Sequence, residues 1–364
     1  MFAIRWARIP VVTVSITYFV MAGTVLDGTE TLRTGQESAR PHEVPLPSYA
    51  VRLEKSFSFP DAESRGAGPY LSQPESMALG PDGLVCVADV LNNEVYLYDL
   101  AGRYVRTIGR PGQGPGEFVQ PTRLSSTGGR IVVHEAGNRR FQFFDFAGKY
   151  VAGFRAFRGY RSFSSINDRI YAAPTLTAQL LGTDRGYLVD ILDLEGRWLG
   201  AFGTPLSVGT DHVPWLDEVL LSPSPEKELW LAFKCFPIVR KFSRDGKLIG
   251  EYRYSNRIAD TKEAMNKKTS GETSSPLGYY PYQFITQGVY ATSEGLYMID
   301  CLVEHRLLIA FMGNNGRVSE YYWAPIELRG FYCGGLFVLE NQGAKKFYIL
   351  NGGDNCVDVY AAKQ

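Results

Sequence analysis

Short apolar or alternating runs follow one another down the chain, separated by turns rich in Gly, Asp and Asn. In the first clear unit these runs are Glu75 to Leu79, Leu84 to Ala88, Glu94 to Tyr98 and Arg103 to Ile108, with Pro81-Asp82-Gly83 between the first two. Apolar alternation bounded by turn residues predicts strands. The order returns in a second unit as Thr122 to Ser125, Arg130 to His134, Arg140 to Phe144 and Tyr150 to Phe154. Lettering the strands of a unit a to d, strands b and c recur at Arg169 to Ala173 and Tyr187 to Leu192. They recur again at Glu228 to Phe233 and Ile238 to Phe242, and at Gly295 to Ile299 and Arg306 to Phe311.

The link between strands c and d carries the clearest repeat. It reads DLAGRYVRTIG from Asp99, DFAGKYVAGFR from Asp145, DLEGRWLGAFG from Asp193, SRDGKLIGEYR from Ser243 and GNNGRVSEYYW from Gly313. Its Gly falls at 102, 148, 196, 246 and 316, intervals of 46, 48, 50 and 70. A hairpin residue at positive φ explains the Gly. Such a period is the signature of a propeller or solenoid. A last unit offers Gly335 to Leu339, Lys346 to Leu350 and Val357 to Tyr360, but no fourth strand. Ala50 to Phe59 (AVRLEKSFSF) precedes the first unit as an orphan. As strand d of the last unit it would seal the ring and remove an open edge. The prediction is an all-β, six-bladed β-propeller of four-stranded antiparallel blades over residues 49–364, with roughly 48 residues per blade.

Residues 1–23 read as a signal peptide. Arg5 and Arg8 precede the apolar run Ile9 to Ala22, and Val20 and Ala22 suit cleavage after Ala22. The run is short for a membrane span, so export to the periplasm or exterior is expected over retention as an anchor. No cysteine follows it closely, which argues against a lipoprotein. Residues 24–48 are polar and Pro-containing and read as a flexible tether.

Lys+Arg and Asp+Glu are each 38, so the net charge is zero. That argues against a nucleic-acid partner, which calls for a basic excess. Aromatics are 13% of the chain, with 38 Gly and 20 Pro, a mixture that suits many short strands and tight turns. The five cysteines, Cys86, Cys235, Cys301, Cys333 and Cys356, include no CxxC pair. Cys235 and Cys301 follow equivalent strands, which leaves a bridge between them open. The favoured reading is small buried hydrophobes.

The first two units also resemble the NHL-repeat and related six-bladed propellers. The resemblance rests on Val87-Ala88-Asp89, Asn92-Asn93 and Val95 to Asp99. Val133-His134, Gly137-Asn138-Arg139 and Phe141 to Asp145 repeat the pattern, and Gly112 to Phe118 with Gln120-Pro121 matches the family's inter-blade loop. Gly66 to Pro69 with Gln73-Pro74 is an earlier copy. The GQGPG glycines lack the strand and helix of a dinucleotide loop and read as a turn.

In a propeller the b–c and d–a connections share one end of the ring. The long segments fall there: Pro60 to Gln73, Arg110 to Gln120, Pro174 to Arg185, Gly203 to Pro214 and the insertion 255–282. Within the insertion, Ala259 to Lys268 has the composition of a short helix, and Tyr279, Tyr280 and Tyr282 are candidate ligand contacts. Long loops on a rigid scaffold carry binding or catalysis. Candidates for the channel are Glu75, Asp89, Asn92, Arg123, His134, Asn138, Asp300, Asn351 and Asp354. Their acids and amides do not recur at one matched position, and the favoured alternative for Asp and Asn after strand b is turn capping.

Two classes of function are expected. The long-loop face and the few candidate bases suit a binding module for a protein, peptide or glycan, without a cofactor. The resemblance implies the other, a lactonase- or lyase-like enzyme holding calcium, or zinc through His, at the channel mouth. No GxSxG or HExxH motif is present, and recognition is the favoured expectation.

Overall fold

The computed structural model describes residues 47–60, 69–80, 82–175, 186–206, 217–256, 259–260, 262–264, 266–267, 284–303, 306–326 and 333–362. The expected signal peptide, much of the tether and Tyr279, Tyr280 and Tyr282 lie outside them. The chain is a six-bladed β-propeller. Blade one consists of Pro74–Leu79, Val85–Asp89, Glu94–Tyr98 and Tyr104–Ile108. Blade two consists of Pro121–Thr127, Arg130–Glu135, Arg140–Asp145 and Tyr150–Arg155. Blade three has Tyr160–Ile166, Arg169–Pro174, Val189–Asp193 and Trp198–Phe202; blade four has Val219–Pro223, Leu229–Phe233, Ile238–Phe242 and Leu248–Arg253. Blade five has Thr286–Ala291, Gly295–Val303, Arg306–Gly313 and Val318–Pro325.

Blade six contributes Cys333–Asn341, Ala344–Asn351 and Cys356–Ala362, and Val51–Phe59 completes it. This closing strand runs antiparallel to Cys356–Ala362, pairing Leu53 with Ala362 and Phe59 with Val357. It also touches blade five through a short parallel pairing of Val51 and Arg52 with Tyr322 and Trp323. The a strands form the inner wall, each against its neighbours, with that of blade six returning to that of blade one. At this last junction Gly334 is required: a Cβ there would lie 2.8 Å from the Glu75 carbonyl oxygen.

Burial follows the radial order. Strand b is buried throughout in blades one and four (VCVAD and LWLAF), since both faces meet other blades. Strand d opens toward solvent, as in WLGAF and LIGEYR. The repeated c–d glycine sits where these layers meet. Gly102, Gly148, Gly196, Gly246 and Gly316 have φ between +77° and +86°. A Cβ on each would run into strand d of the preceding blade, at Phe59, Ile108, Phe154, Phe202 and Tyr252 in turn. Phe59 of the closing strand therefore holds the place that Phe154 and Phe202 hold elsewhere. Gly196→Ala, whose Cβ would sit 2.4 Å from the Phe154 ring, is expected to lower stability by about 2 kcal/mol or more through strain and overlap. Urea unfolding measures it; an unchanged midpoint would contradict the packing described.

Candidate functional site

In the register between strands a and b, the first residue of strand a pairs with a residue at or near the end of strand b. The pairs are Pro74 with Asp89, Pro121 with Glu135, Thr286 with Asp300, and Cys333 with Asn351. Acids or amides thus fill the position in four blades, while Pro174 and Phe233 hold it in blades three and four, so they do not recur all around the ring. Blade two fills it with Glu135 rather than His134. All four are buried.

Three of these groups are engaged in turn architecture. Asp89 accepts the backbone N–H groups of Ser72 (2.5 Å), Gln73 (3.1 Å) and Asn92 (2.9 Å). Asn92 in turn donates to the Tyr70 carbonyl and accepts from the Ser72 hydroxyl. Glu135 accepts from Val119 N–H, Asn138, Arg140 and Gln142 at 2.5–3.0 Å. Asn351 accepts from Gly353 and Asp354 N–H and donates to the Asp354 carboxylate. Each pair, Asp89–Asn92, Glu135–Asn138 and Asn351–Asp354, is spaced by three residues. A residue at positive φ follows each one: Asn93, Arg139 and Asn355. Asp89, Asn92, Asn138, Asn351 and Asp354 are thus parts of a repeated turn, two copies of which also fasten the incoming inter-blade loop. The turn-capping alternative holds for them.

Asp300 departs from this scheme. It is buried, Asn256 donates to its Oδ2, and its Oδ1 has no hydrogen-bond partner. Burial raises its pKa to about 7 despite the Asn256 contact. Across the window from about 3.9 to about 7, the folded state keeps a proton that the unfolded chain has released. Stability therefore falls as pH rises through that window. Asp300→Asn removes the penalty and is expected to stabilise by about 1–3 kcal/mol near pH 8 and little near pH 4; denaturant unfolding at the two pH values checks it.

His134 does not line the channel. It is buried against Phe141, Tyr160 and Phe163, with Nδ1 3.3 Å from the Thr122 hydroxyl. Burial, aided by Arg123, pushes its pKa down to about 3, so the ring is neutral packing.

Glu75 and Arg123 do come together, on the inner wall. In blades one, two, three, five and six the register slips once at the start of strand a, leaving Glu75, Thr122, Arg161, Gln287 and Gly334 as bulged residues. Bulges re-aim side chains. Glu75 Oε2 lies 3.2 Å from an Arg123 terminal nitrogen, and Arg123 Nε donates to the Arg161 carbonyl at 3.0 Å. Arg161 meets Glu218 Oε2 at 2.7 Å, and Glu218 Oε1 meets Lys234 Nζ at 2.6 Å. Lys234 Nζ then sits 3.9 Å from the centre of the Phe284 ring, a cation–π contact. This belt runs through blades one to four to the entry of blade five, at the end where the b–c and d–a loops gather. Burial lowers the pKa of Lys234, Glu218 raises it, and Arg123 and Arg161 lower it further, with a net downward shift.

Arg161, Glu218, Lys234 and Phe284 were not among the residues picked out from sequence. The same end of the ring carries exposed apolar side chains on its loops: Tyr70, Leu91, Phe157, Tyr187 and Phe284. Within the insertion, residues 259, 260, 262–264, 266 and 267 are helical, as expected. Helical Lys262 donates to the Phe284 carbonyl, and helical Asn266 to that of Cys235. The GQGPG segment is a turn, with Gly114 N–H donating to Glu117 and Gly112 N–H to the Phe118 carbonyl.

Cys235 is a free thiol, so the bridge to Cys301 is not formed. Cys86, Cys333 and Cys356 are also free, and all four are buried. Burial pushes the Cys235 and Cys333 thiols up to about 12. Among the described residues no group of three or more His, Cys, Asp or Glu could hold a metal ion, and no helix is long and apolar enough to cross a membrane. Of the oxygen donors named for the metal reading, Asp89, Asn92, Asn138, Asn351 and Asp354 are engaged in turns, whereas Glu75 and Asp300 are not.

A family model described as a 6-bladed beta-propeller matches residues 79–155, within blades one and two. No curated protein matches the sequence. Among solved structures, a Bacteroides fragilis protein is 10% identical with a TM-score of 0.55, covering 86% of this chain and 96% of its own. A member of the duf4221 family from Bacteroides vulgatus is 12% identical with a TM-score of 0.52, covering 87% and 98%. Virginiamycin B lyase from Staphylococcus aureus is 9% identical with a TM-score of 0.49, covering 81% and 98%. The first two share the fold and carry nothing about function; the third is too distant to bear on either.

Proposed function

We propose that this six-bladed β-propeller is an exported recognition module that binds a protein or peptide partner over the end bearing its b–c and d–a loops. One observation carries the reading. Tyr70, Leu91, Phe157, Tyr187 and Phe284 are exposed on loops of the end that also holds the inner belt of charged residues, and Phe284 packs on Lys234 of that belt. Exposed aromatics and arginine are the composition of binding surfaces. Export rests on the apolar N-terminal run behind Arg5 and Arg8.

A photoreactive residue placed at Phe157 tests the assignment in the native host. An adduct of defined mass is expected there and not from the same group at Asn167, on the a–b turn at the opposite end. Adducts from Asn167 alone would overturn it. The metal-dependent enzyme is the competing reading, and the two part on a thermal melt. Recognition without calcium predicts the same melting temperature with EDTA or added calcium. A clear rise with calcium would favour the enzyme, because a ligand held only by the folded state stabilises it.

A further inference from the structure

Resting on that reading, we propose that the inner belt is a carboxylate subsite, and that the partner is an acidic peptide whose apolar neighbours lie on the surrounding rings. Three cations, Arg123, Arg161 and Lys234, share the belt with two carboxylates, Glu75 and Glu218. Among these described residues the belt therefore carries one positive charge in surplus, in a partly desolvated site where a charge is weakly screened.

Arg161 is the group best placed to meet a ligand. Its side chain is 39% exposed, against 14% for Lys234. One terminal nitrogen is held by Glu218, and its other side-chain donors bond nothing among the described residues. The planar guanidinium offers those donors to a carboxylate as a fork. Lys234 is held behind it by Glu218 and the face of Phe284. Half-exposed Phe284 continues from the cations as an apolar surface.

The ring chemistry favours a peptide over an acidic glycan. Sugar hydroxyls call for fixed donors and acceptors, yet Asp89, Asn92, Asn138, Asn351 and Asp354 are engaged in the turns of this end. Among the described residues the end presents Phe284 against a belt cation and exposed Tyr70, Leu91, Phe157 and Tyr187 on its loops, a complement to a carboxylate flanked by apolar side chains.

Fluorescein-labelled octapeptides of alternating Leu and Ser test this, measured by polarisation. One carries a central Glu and an amidated C-terminus, one a central Gln and an amidated C-terminus, and one a central Gln and a free C-terminal carboxylate. At least one charged peptide is expected to bind about tenfold more tightly than the neutral one, an advantage that shrinks as salt is raised. Which charged peptide wins tells a side-chain carboxylate from a terminal one. Arg161→Gln, at a partly exposed position, should abolish the advantage while leaving the melting temperature near that of the parent.

Equal binding of charged and neutral peptides would overturn the proposal, as would an advantage that survives in Arg161→Gln. So would binding of oligogalacturonate where no peptide binds. The two readings fail separately. If Tyr70→Ser and Phe157→Ser weaken the neutral peptide while charge makes no difference, the carboxylate subsite falls and the binding face stands. If neither charge nor these substitutions alter binding, both fall.

Discussion

Glu135→Ala is expected to lower stability by about 3–5 kcal/mol, the loss typical of removing one partner from a buried ion pair. Glu135 is fully buried, and Arg140, at 2.5 Å, is mostly so. The same carboxylate accepts from Val119 N–H, Asn138 and Gln142. Arg140 also donates to the carbonyls of Gln113, Gly114 and Glu117, so the guanidinium stays fixed after its counter-charge is gone. Glu135→Gln keeps an acceptor and the side-chain length, and should be less harmful than Ala. Chemical denaturation of the three proteins decides it. Equal stabilities would mean that the carboxylate does not organise the inter-blade loop.

Removing the closing strand should be more damaging still. A chain starting at Pro60 leaves the edge of Cys356–Ala362 unpaired and takes away Phe59, which packs on Tyr98 and Gly102. It also takes away a polar clasp: Lys55 and the Ser58 hydroxyl both bond buried Asp358, at 2.7 and 2.6 Å. Loss of the cooperative unfolding transition, or self-association through the open edge, is the expected result. A chain starting at Ser48 should fold normally. Burial works against the charge on Asp358, but Lys55, Ser58 and Asn351 outweigh it and hold its pKa below the usual carboxylate range. Its stabilisation is thus full above about pH 3.9 and is lost as pH falls through the lower folded value.

The outer strands were legible because they obey local rules. The c–d turns announced themselves through Gly and a basic residue, and strands b and c of blades one and two fall within a residue or two of their expected limits. The orphan strand was recognisable because the last unit lacked its fourth member. Strand a of blades three to five was hard to place for a physical reason. It lines the crowded inner wall and carries small hydroxyl residues that bond between blades rather than an apolar alternation. Ser125 bonds Ser165 at 2.7 Å, the Leu124 N–H donates to the Ser76 hydroxyl, and the Ala291 N–H to that of Ser222. Tyr160–Ile166, YRSFSSI, has no clean period of two.

The site suffered from the same cause. Arg161 and Glu218 sit at the start of a strands that the sequence pattern left unplaced, so nothing linked them to Glu75 and Arg123. Lys234 directly follows strand b of blade four, whose matched position holds Phe233 rather than an acid or amide. Conversely, Asp89, Asn92, Asn138, Asn351 and Asp354 stood out through the repeat, and repetition is what a shared turn produces. The belt is made instead by Glu75, Arg123, Arg161, Glu218, Lys234 and Phe284, none of which belongs to that turn.

Backbone hydrogen exchange across the last blade tests the closed ring, and with it the geometry of the binding end. The amides of Leu53 to Phe59 that pair with Val357 to Ala362 are expected to be protected as strongly as those of the other strands of that blade. Exchange of Leu53 to Phe59 at the rate of a free chain, beside a protected Cys356–Ala362, would contradict the closure on which the account stands.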